Sequence, residues 1–253
     1  MDVVRYSIQG TEIDRRSIPQ TPDSSQSRTI VSTEFGGKFY LAVNNPGTSF
    51  ETVRDSFGFV TICGKGASVS LYELDGRSDA ATKAARFANL QFSQLTALRG
   101  QLIYAGATLG VCANGRRHPV LGSISPDLKI AKLWEGGTAF SGSLVGVVEA
   151  PSGYLGVAQF LERIRFSQDK VDENGMRIAP QNPSSGAIVK HLDFENDQIA
   201  ETAVVQFDGR FVLRSTSDLG SGLAQYAAGL VPGVDGAVVY GTSGFNPWLE
   251  RVP

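Results

Sequence analysis

The sequence predicts an all-β protein. Strand-like runs of β-branched and aromatic residues recur along the 253-residue chain, and the 29 glycines favour turns over long helices. No βαβ alternation and no internal repeat is visible. These features favour an antiparallel sandwich over a parallel sheet covered by helices. At this length, the leading form is an eight-stranded antiparallel jelly roll with long loops and few short helices.

Alternating or continuous apolar runs predict the strands. In residues 38–45, Phe39, Leu41 and Val43 alternate on one face of a predicted strand. The other strand-like runs are 57–64, 67–74, 98–113, 141–150, 153–166, 202–207, 210–215 and 236–243. The run at 98–113 is long enough for one or two strands.

Glycine-containing dipeptides mark the predicted turns. Asp or Asn precedes Gly at Asp75, Asn114, Asn174, Asp208 and Asp235, a pairing that suits tight hairpin turns. The turn at Asp208 lies between two β-rich runs and is the best hairpin candidate. Two short helices are expected. One lies in the alanine-rich residues 80–85. The other lies in residues 223–230, where Gly229 and the following Pro232 limit its length.

Composition divides the chain into an arm and a main domain. Residues 1–28 are predicted to be a largely extended N-terminal arm, in which four arginines balance four acidic residues. Residues 29–253 are predicted to form one jelly-roll domain. Within it, residues 168–201 carry seven acidic and three basic side chains, a formal charge of −4, and two prolines. We interpret them as a long surface excursion between strands.

Overall charge and cysteine content exclude several classes of protein. The net charge is −2, so no strongly basic nucleic-acid-binding surface is evident. Cys63 and Cys112 lie in apolar runs and are interpreted as buried free thiols, with a disulfide as the lesser alternative. No apolar run approaches the about 20 residues that span a membrane, and no signal peptide is recognised. We therefore expect a soluble product with no membrane partner.

The motifs of common enzyme classes are missing. Gly66 to Ser70 begins like a nucleophile elbow but lacks the final glycine, and the two histidines, His118 and His191, stand apart in the sequence. Clustered Cys and His residues of the zinc type are not found. Residues 169–175 resemble a calcium-binding loop, but the spacing of their side chains is incorrect. We therefore prefer to interpret them as a solvated acidic loop. Calcium shared between subunits stays open as an alternative. We expect no enzymatic activity and no other cofactor.

Two features suggest contacts with a ligand. Arg116 and Arg117 follow a predicted turn and form the densest positive spot in the chain. They are candidates for phosphate contact, with a solvated hairpin tip or a subunit contact as alternatives. Trp134 and Trp248 are candidates for an aromatic binding platform, although anchoring in the core is the more common role.

Three stretches resemble nodavirus-like capsid proteins. In residues 77–111, an Arg86-Phe87-Ala88-Asn89 opening leads into an alternating strand and a second strand with Ala105-Gly106. Residues 36–50 resemble an early strand of that family, and residues 231–247 a late jelly-roll strand. Together they cover about a third of the chain. Capsids of single-stranded DNA viruses of the bacilladnavirus type fit equally well.

The resemblance implies a viral coat subunit. Copies of the chain would tile an icosahedral shell around an RNA or single-stranded DNA genome, so the product would be assembled inside the host cell and found in the virion. Phe87, Leu90 and Phe92 would then pack in the core. Such capsids usually carry a basic arm, whereas this arm is neutral, and no Asn-Ala bond for self-cleavage is present. The candidate contacts with the genome are Arg5, Arg15, Arg16, Arg116 and Arg117.

Two other functions stay open from the sequence. A β-sandwich module that binds carbohydrate or a receptor would be favoured if Trp134, Trp248 or several tyrosines lined one exposed face. A glycoside hydrolase would require two carboxylates close together in a cleft.

Overall fold

The structure, a computed structural model, describes residues 2–6, 9–17, 29–45, 49–54, 60–65, 67–75, 81–109, 117–136, 141–163, 198–221, 225–243 and 246–253. Every regular element in these ranges is a strand, which confirms the all-β prediction. The strands are β1 Asp2–Tyr6, β2 Glu12–Ser17, β3 Thr29–Phe35, β4 Lys38–Asn45, β5 Ser49–Arg54, β6 Val60–Lys65, β7 Ser68–Asp75, β8 Ala81–Ala88, β9 Leu90–Leu98, β10 Gln101–Leu109, β11 Arg117–Ile124, β12 Ile130–Glu135, β13 Ser141–Ala150, β14 Gly153–Arg163, β15 Gln198–Phe207, β16 Leu213–Ser221, β17 Gln225–Gly233, β18 Gly236–Ser243 and β19 Asn246–Val252.

The strands form six antiparallel sheets. Sheet I has the order β3-β4-β7-β8, sheet II β12-β11-β10-β9, sheet III β13-β14-β15-β16 and sheet IV β17-β18-β19, while β1-β2 and β5-β6 form two-stranded ribbons. The chain divides into two compact units, residues 1–136 and 137–253. Sheets I and II belong to the first unit, and sheets III and IV belong to the second.

The predicted eight-stranded jelly roll is not confirmed. Nineteen strands are described, and nearly every strand pairs with its neighbour in sequence, β4 with β7 being the exception. A jelly roll is built from Greek keys, in which a strand returns over a long connection to pair with a distant one. Short turns such as Gly36-Gly37, where both residues have positive φ, instead direct the chain into consecutive hairpins.

Both predicted short helices are wrong in the described residues. The alanine-rich segment that follows residue 80 forms the edge strand β8, and the segment around Ala227 and Ala228 lies in β17. Alanine has high helix propensity, but this preference is a fraction of a kcal/mol per residue and tertiary pairing overrides it. Pro232 is tolerated in β17 because this strand lies at the edge of sheet IV.

The core of the first unit lies between sheets I and II. Tyr40 and Leu71 from sheet I pack in one cluster with Phe92, Leu102 and Tyr104 from sheet II. The rings of Phe92 and Tyr104 are stacked with centroids 4.4 Å apart. The predicted core positions Phe87, Leu90 and Phe92 are confirmed, since Leu90 and Phe92 are buried in this cluster and Phe87 packs against it.

A sharp corner at Asn89 joins the two sheets. Asn89 has a φ of 57° and is the single residue between β8 of sheet I and β9 of sheet II. Its backbone N–H donates to the carbonyl of Ala67 at 2.9 Å, and its carbonyl accepts from the N–H of Leu109 at 2.8 Å. Asn is among the residues that tolerate the left-handed region. The stretch RFANLQF is therefore a strand, a corner and a second strand.

A buried amide also links sheets I and II. Asn44 of β4 donates from Nδ2 to the carbonyl of Phe92 at 2.7 Å, and its Oδ1 accepts from the N–H of Phe92 at 2.8 Å. Because β9 is the edge strand of sheet II, these two backbone groups are satisfied by a side chain from the opposite sheet.

The core of the second unit lies between sheets III and IV. Leu155 and Val204 from sheet III pack with Leu230, Val239 and Val252 from sheet IV. Gln159 on β14 accepts from the N–H of Ala227 on β17 at 2.7 Å, so a buried amide also links these two sheets.

The hairpin predicted at Asp208 is confirmed. It connects β15 and β16, and the Asp208 carboxylate accepts from the backbone N–H groups of Arg210 at 2.8 Å and Val212 at 3.0 Å. This Asx-type arrangement fixes the turn locally. Most of the predicted surface excursion at 168–201 lies outside the described residues, which resume at residue 198.

Candidate interaction surface

Three of the predicted genome contacts lie on the first hairpin. In the β1-β2 register, Arg5 is opposite Asp14, Arg15 is opposite Val4 and Arg16 is opposite Val3. Arg15 is exposed, and its guanidinium donates two hydrogen bonds of 3.0 Å to the carboxylate of Glu12. This contact with Arg15 lowers the pKa of Glu12. Arg15 therefore already has a carboxylate partner, with which a phosphate would compete.

The second basic site is at the start of β11. Arg116 lies outside the described residues, and Arg117 is the first residue of β11, paired with Leu109. The nearby Glu135 carboxylate accepts from Thr108 Oγ1 at 2.8 Å and also from Lys132. Burial raises the pKa of Glu135, but the hydrogen bonds from Lys132 and Thr108, together with the charge of Lys132, outweigh this effect and keep the pKa below its usual range. This end of sheet II therefore carries mixed charge.

Both tryptophans are partly buried. Trp134 is half-buried on β12 opposite Leu121, and Trp248 packs against the core of the second unit. Trp248 therefore has the core-packing role that is the more common one for tryptophan.

One carboxylate of the first unit is deeply buried. Glu73 on β7 is 1 % exposed and accepts from Lys38 Nζ at 2.8 Å, Tyr40 Oη at 3.0 Å and Thr82 Oγ1 at 3.0 Å. Burial raises its pKa, but these hydrogen bonds outweigh it and the pKa of Glu73 lies below 4.5. The pKa of Tyr40 is raised to about 12, chiefly by burial and to a lesser extent by the hydrogen bond to Glu73. Because its donors surround it and solvent does not reach it, Glu73 serves to hold β4, β7 and β8 together.

The described residues contain no group of three or more His, Cys, Asp or Glu side chains that could hold a metal ion. The calcium-like segment 169–175 and Cys112 lie outside the described residues, so shared calcium stays a prediction. A shallow depression of 200 Å³ on sheet I is lined by Ser70, Tyr72, Ala84, Ala85 and Arg86. Within the described ranges, no helix is long and apolar enough to cross a membrane.

The most distinctive surface is the outer face of sheet IV. Eight large hydrophobic side chains are exposed in the described residues, and five of them lie on this sheet or on its β17-β18 turn. Their exposed fractions are 41 % for Tyr226, 47 % for Val231, 94 % for Val234, 43 % for Tyr240 and 72 % for Leu249. Scattered apolar residues are normal on a protein surface, but a contiguous group marks an interaction site.

The pleat of the strands determines which residues share this face. On β18, Ala237 and Val239 point into the core, so Val238, Tyr240 and Thr242 point outward. Residues directly opposite each other in a sheet share a face. Tyr240 is opposite Leu249 and Thr242 is opposite both Tyr226 and Pro247, so these side chains form one outer surface. The "outer face of sheet IV" consists of Tyr226, Gly229, Val231, Val238, Tyr240, Thr242, Pro247, Leu249 and Arg251.

Tyr240 lies flat across this face. Gly229 on β17 is directly opposite Tyr240, and a Cβ at Gly229 would come within 2.4 Å of the Tyr240 hydroxyl oxygen. The ring therefore occupies the space that a side chain on β17 would fill. One side of the ring covers the glycine backbone, and the other side faces away from the sheet. This arrangement gives sheet IV a flat aromatic centre flanked by Leu249 and Tyr226.

The outer face of sheet IV is almost uncharged. Arg251 is its only ionisable side chain other than tyrosine, and Arg251 donates to Asp235 of the β17-β18 turn at 3.2 Å. Both groups are well exposed, so this ion pair contributes little to stability. The apolar run 236–243 predicts a strand but not which of its two faces is covered, so this surface is not among the sequence predictions. The signal was present, since Val238 and Tyr240 alternate with the core residues Ala237 and Val239.

No protein-family model matches the chain, and no curated protein matches it.

Proposed function

We propose that this chain is a viral coat subunit that assembles with copies of itself into an icosahedral shell around a genome. Two-layer β-sandwich units with apolar cores provide rigid building blocks of the kind that shells use. A jelly-roll arrangement of the main domain belongs to the same proposal, but the consecutive hairpins of the described sheets do not support it.

The observation that carries this function is the outer face of sheet IV. A coat subunit must present apolar surface that neighbouring subunits cover, since subunit association gains most of its free energy from removing such surface from water. Five of the eight exposed large hydrophobic side chains in the described residues are concentrated at this sheet. The same face carries almost no net charge, so close approach of a neighbour costs little desolvation.

Size measurement tests the coat function directly. The expressed chain is examined by size-exclusion chromatography with light scattering, and the void fraction is imaged by negative-stain electron microscopy. Uniform closed particles are the expected result. A stable monomer or dimer across a range of salt and pH, with calcium present, would refute the coat function. Adding a chelator to assembled particles tests shared calcium, because particles that depend on it would dissociate.

The genome is the second partner in this proposal. Arg5, Arg15, Arg16, Arg116 and Arg117 are the proposed contacts, and we expect them to bind phosphate without reading sequence. Single-stranded nucleic acid binding is described by the slope of log K against log salt concentration. The loss of each phosphate contact should reduce the steepness of this slope by about 0.7. An Arg116→Ala, Arg117→Ala double variant should therefore lower the slope by about 1.4. An unchanged slope would remove these two residues from the interface.

A β-sandwich module that binds carbohydrate or a receptor is the second candidate function. The observation that favours it is that Tyr226 and Tyr240 lie on one exposed face, and that the ring of Tyr240 is flat against the sheet. Flat aromatic rings bind the apolar faces of sugar rings, while a tyrosine hydroxyl adds a polar contact. In a glycan array, the wild type should bind a defined class of glycan and Tyr240→Ala should lose that binding. Ile30→Ala, which alters an equally exposed side chain of the first unit, should retain it.

A further inference from the structure

The outer face of sheet IV suits one particular partner. We propose that a second copy of this chain packs its own outer face of sheet IV against it, around a twofold axis that passes close to Tyr240. This pairing rests on the proposed coat function and names the contact through which subunits meet. In such an isologous contact both copies use the same patch, so the patch must be complementary to itself.

The charges on this face are compatible with twofold pairing. Arg251 and Asp235 lie together at the end of the sheet near the β17-β18 turn, and Thr242 and Pro247 lie toward the other end. A twofold axis that passes near Tyr240, in the plane of the contact and perpendicular to the strands, places the charged end of one copy over the uncharged end of the other. No like charges then meet, and the ion pair stays at the rim where water reaches it.

A matching pair in the first unit shows how such a tyrosine is buried. Tyr104 on β10 is directly opposite Gly122 on β11, and a Cβ at Gly122 would come within 2.4 Å of the Tyr104 ring. Tyr240 and Gly229 repeat this cross-strand pair in sheet IV. Tyr104 is 1 % exposed because sheet I covers it, whereas Tyr240 is 43 % exposed. A second sheet packed on sheet IV would complete for Tyr240 the environment that Tyr104 already has.

The size of the face fits a contact that holds only within a larger assembly. Three strands about 4.8 Å apart, each contributing about seven residues of 3.4 Å rise, give a face of roughly 340 Å². A pair would bury about 700 Å², which is below the about 1,200 Å² of a stable isolated interface. We therefore expect the pairing to be weak between free subunits and to persist where each subunit makes several contacts at once.

A charge placed in this face tests the pairing. Leu249→Asp brings two carboxylates close to each other in the paired state, while the side chain is 72 % exposed in the single chain. The expected result is a loss of particles of at least tenfold, with an unchanged circular dichroism spectrum and an unchanged urea midpoint. Val212→Asp is the matched control, because Val212 is 52 % exposed in the same unit and lies off this face. It should assemble like the wild type, and normal assembly of Leu249→Asp would overturn the pairing.

Cross-linking tests the geometry without relying on particle formation. Across this axis, which runs perpendicular to the strands, the two copies of residue 249 face each other and would lie about 10 Å apart, which is the separation of two packed sheets. Leu249→Cys treated at high protein concentration with a thiol-to-thiol linker of that length should give a covalent dimer. Val212→Cys, with the same native cysteines, should give no more dimer than the wild type.

The outcomes separate this pairing from the coat function. Wild-type particles together with normal assembly of Leu249→Asp and no dimer from Leu249→Cys would overturn the pairing and leave the coat function standing. A Leu249→Cys dimer from a chain that forms no particles would support the pairing and overturn the coat function. Glycan binding by a monomer that does not cross-link would overturn both in favour of a binding module.

Discussion

Replacing Asn44 with alanine should weaken the first unit strongly, because one side chain satisfies two buried backbone groups of the opposite sheet. In the wild type, the N–H and the C=O of Phe92 bond to the Asn44 side chain at 2.8 and 2.7 Å. The substitution removes both hydrogen bonds. A buried polar group without a partner costs about 1–3 kcal/mol, so the two groups together should cost about 2–6 kcal/mol. Domains have total stabilities of about 5–15 kcal/mol, so this is a large share.

Urea unfolding followed by tryptophan fluorescence provides the assay for Asn44→Ala. The first unit holds Trp134 and the second holds Trp248, so a Trp248→Phe background reports the first unit alone. For a urea slope of about 2 kcal/mol/M, the midpoint should fall by about 1–3 M. Asn44→Asp keeps the shape and the acceptor but removes the donor, and it should be at least as damaging as alanine.

The neighbouring Asn45 gives a matched control for Asn44. Its side chain is partly buried and donates to Ser70 Oγ at 3.0 Å and to the Val43 carbonyl at 3.3 Å. Asn45→Ala should therefore cost about 0.5–1.5 kcal/mol, the usual net value of a hydrogen bond. A loss below about 1 kcal/mol for Asn44→Ala, or equal losses for both variants, would refute the interpretation that Asn44 links the two sheets.

Two further predictions concern buried groups. The pKa of Glu73 lies below 4.5, so its charged contacts with groups such as Lys38 stabilise the fold above pH 4.5, and this contribution is lost as the pH falls through the lowered pKa. Glu73→Gln should cost about 1.5–3 kcal/mol at pH 7, and urea titrations should show the gap to wild type closing in acid; a constant gap would contradict this. Gly122→Ala forces a methyl group into the buried Tyr104 ring and should cost about 1–3 kcal/mol in the same assay. Gly229→Ala makes the same clash with an exposed tyrosine that can move outward, so it should cost clearly less, and equal costs would show that burial does not decide the effect.

Local patterns in the sequence were sufficient to predict the class of fold and several elements. β-Branched runs and glycine turns predicted an all-β chain, and Asp208-Gly209 predicted the hairpin between β15 and β16. Alternation in residues 38–45 placed Phe39, Leu41 and Val43 on one face, and these residues do pack in one cluster. These predictions succeeded because each depends on the preferences of adjacent residues.

Elements made of small residues were predicted wrongly. In β8 and in the first half of β17, alanine and glycine provide little hydrophobic periodicity, so helix propensity was the remaining local signal. Strand pairing decided against it, because β7 and β18 offer long rows of hydrogen-bonding groups to those segments. The propensity of alanine is too small to resist that gain.

The sequence by itself determined that the chain is all-β, where many of its strands and turns lie, and that Phe87, Leu90 and Phe92 belong to a core. Only the tertiary structure decided which strands pair, and therefore which of two apolar faces is covered. In β18, both Val239 and Tyr240 look like core residues, yet sheet III covers the first and nothing in the described residues buries the second to the same degree. Burial depends on contacts between segments that are distant in sequence, so a local pattern shows that a face is apolar without showing what packs on it.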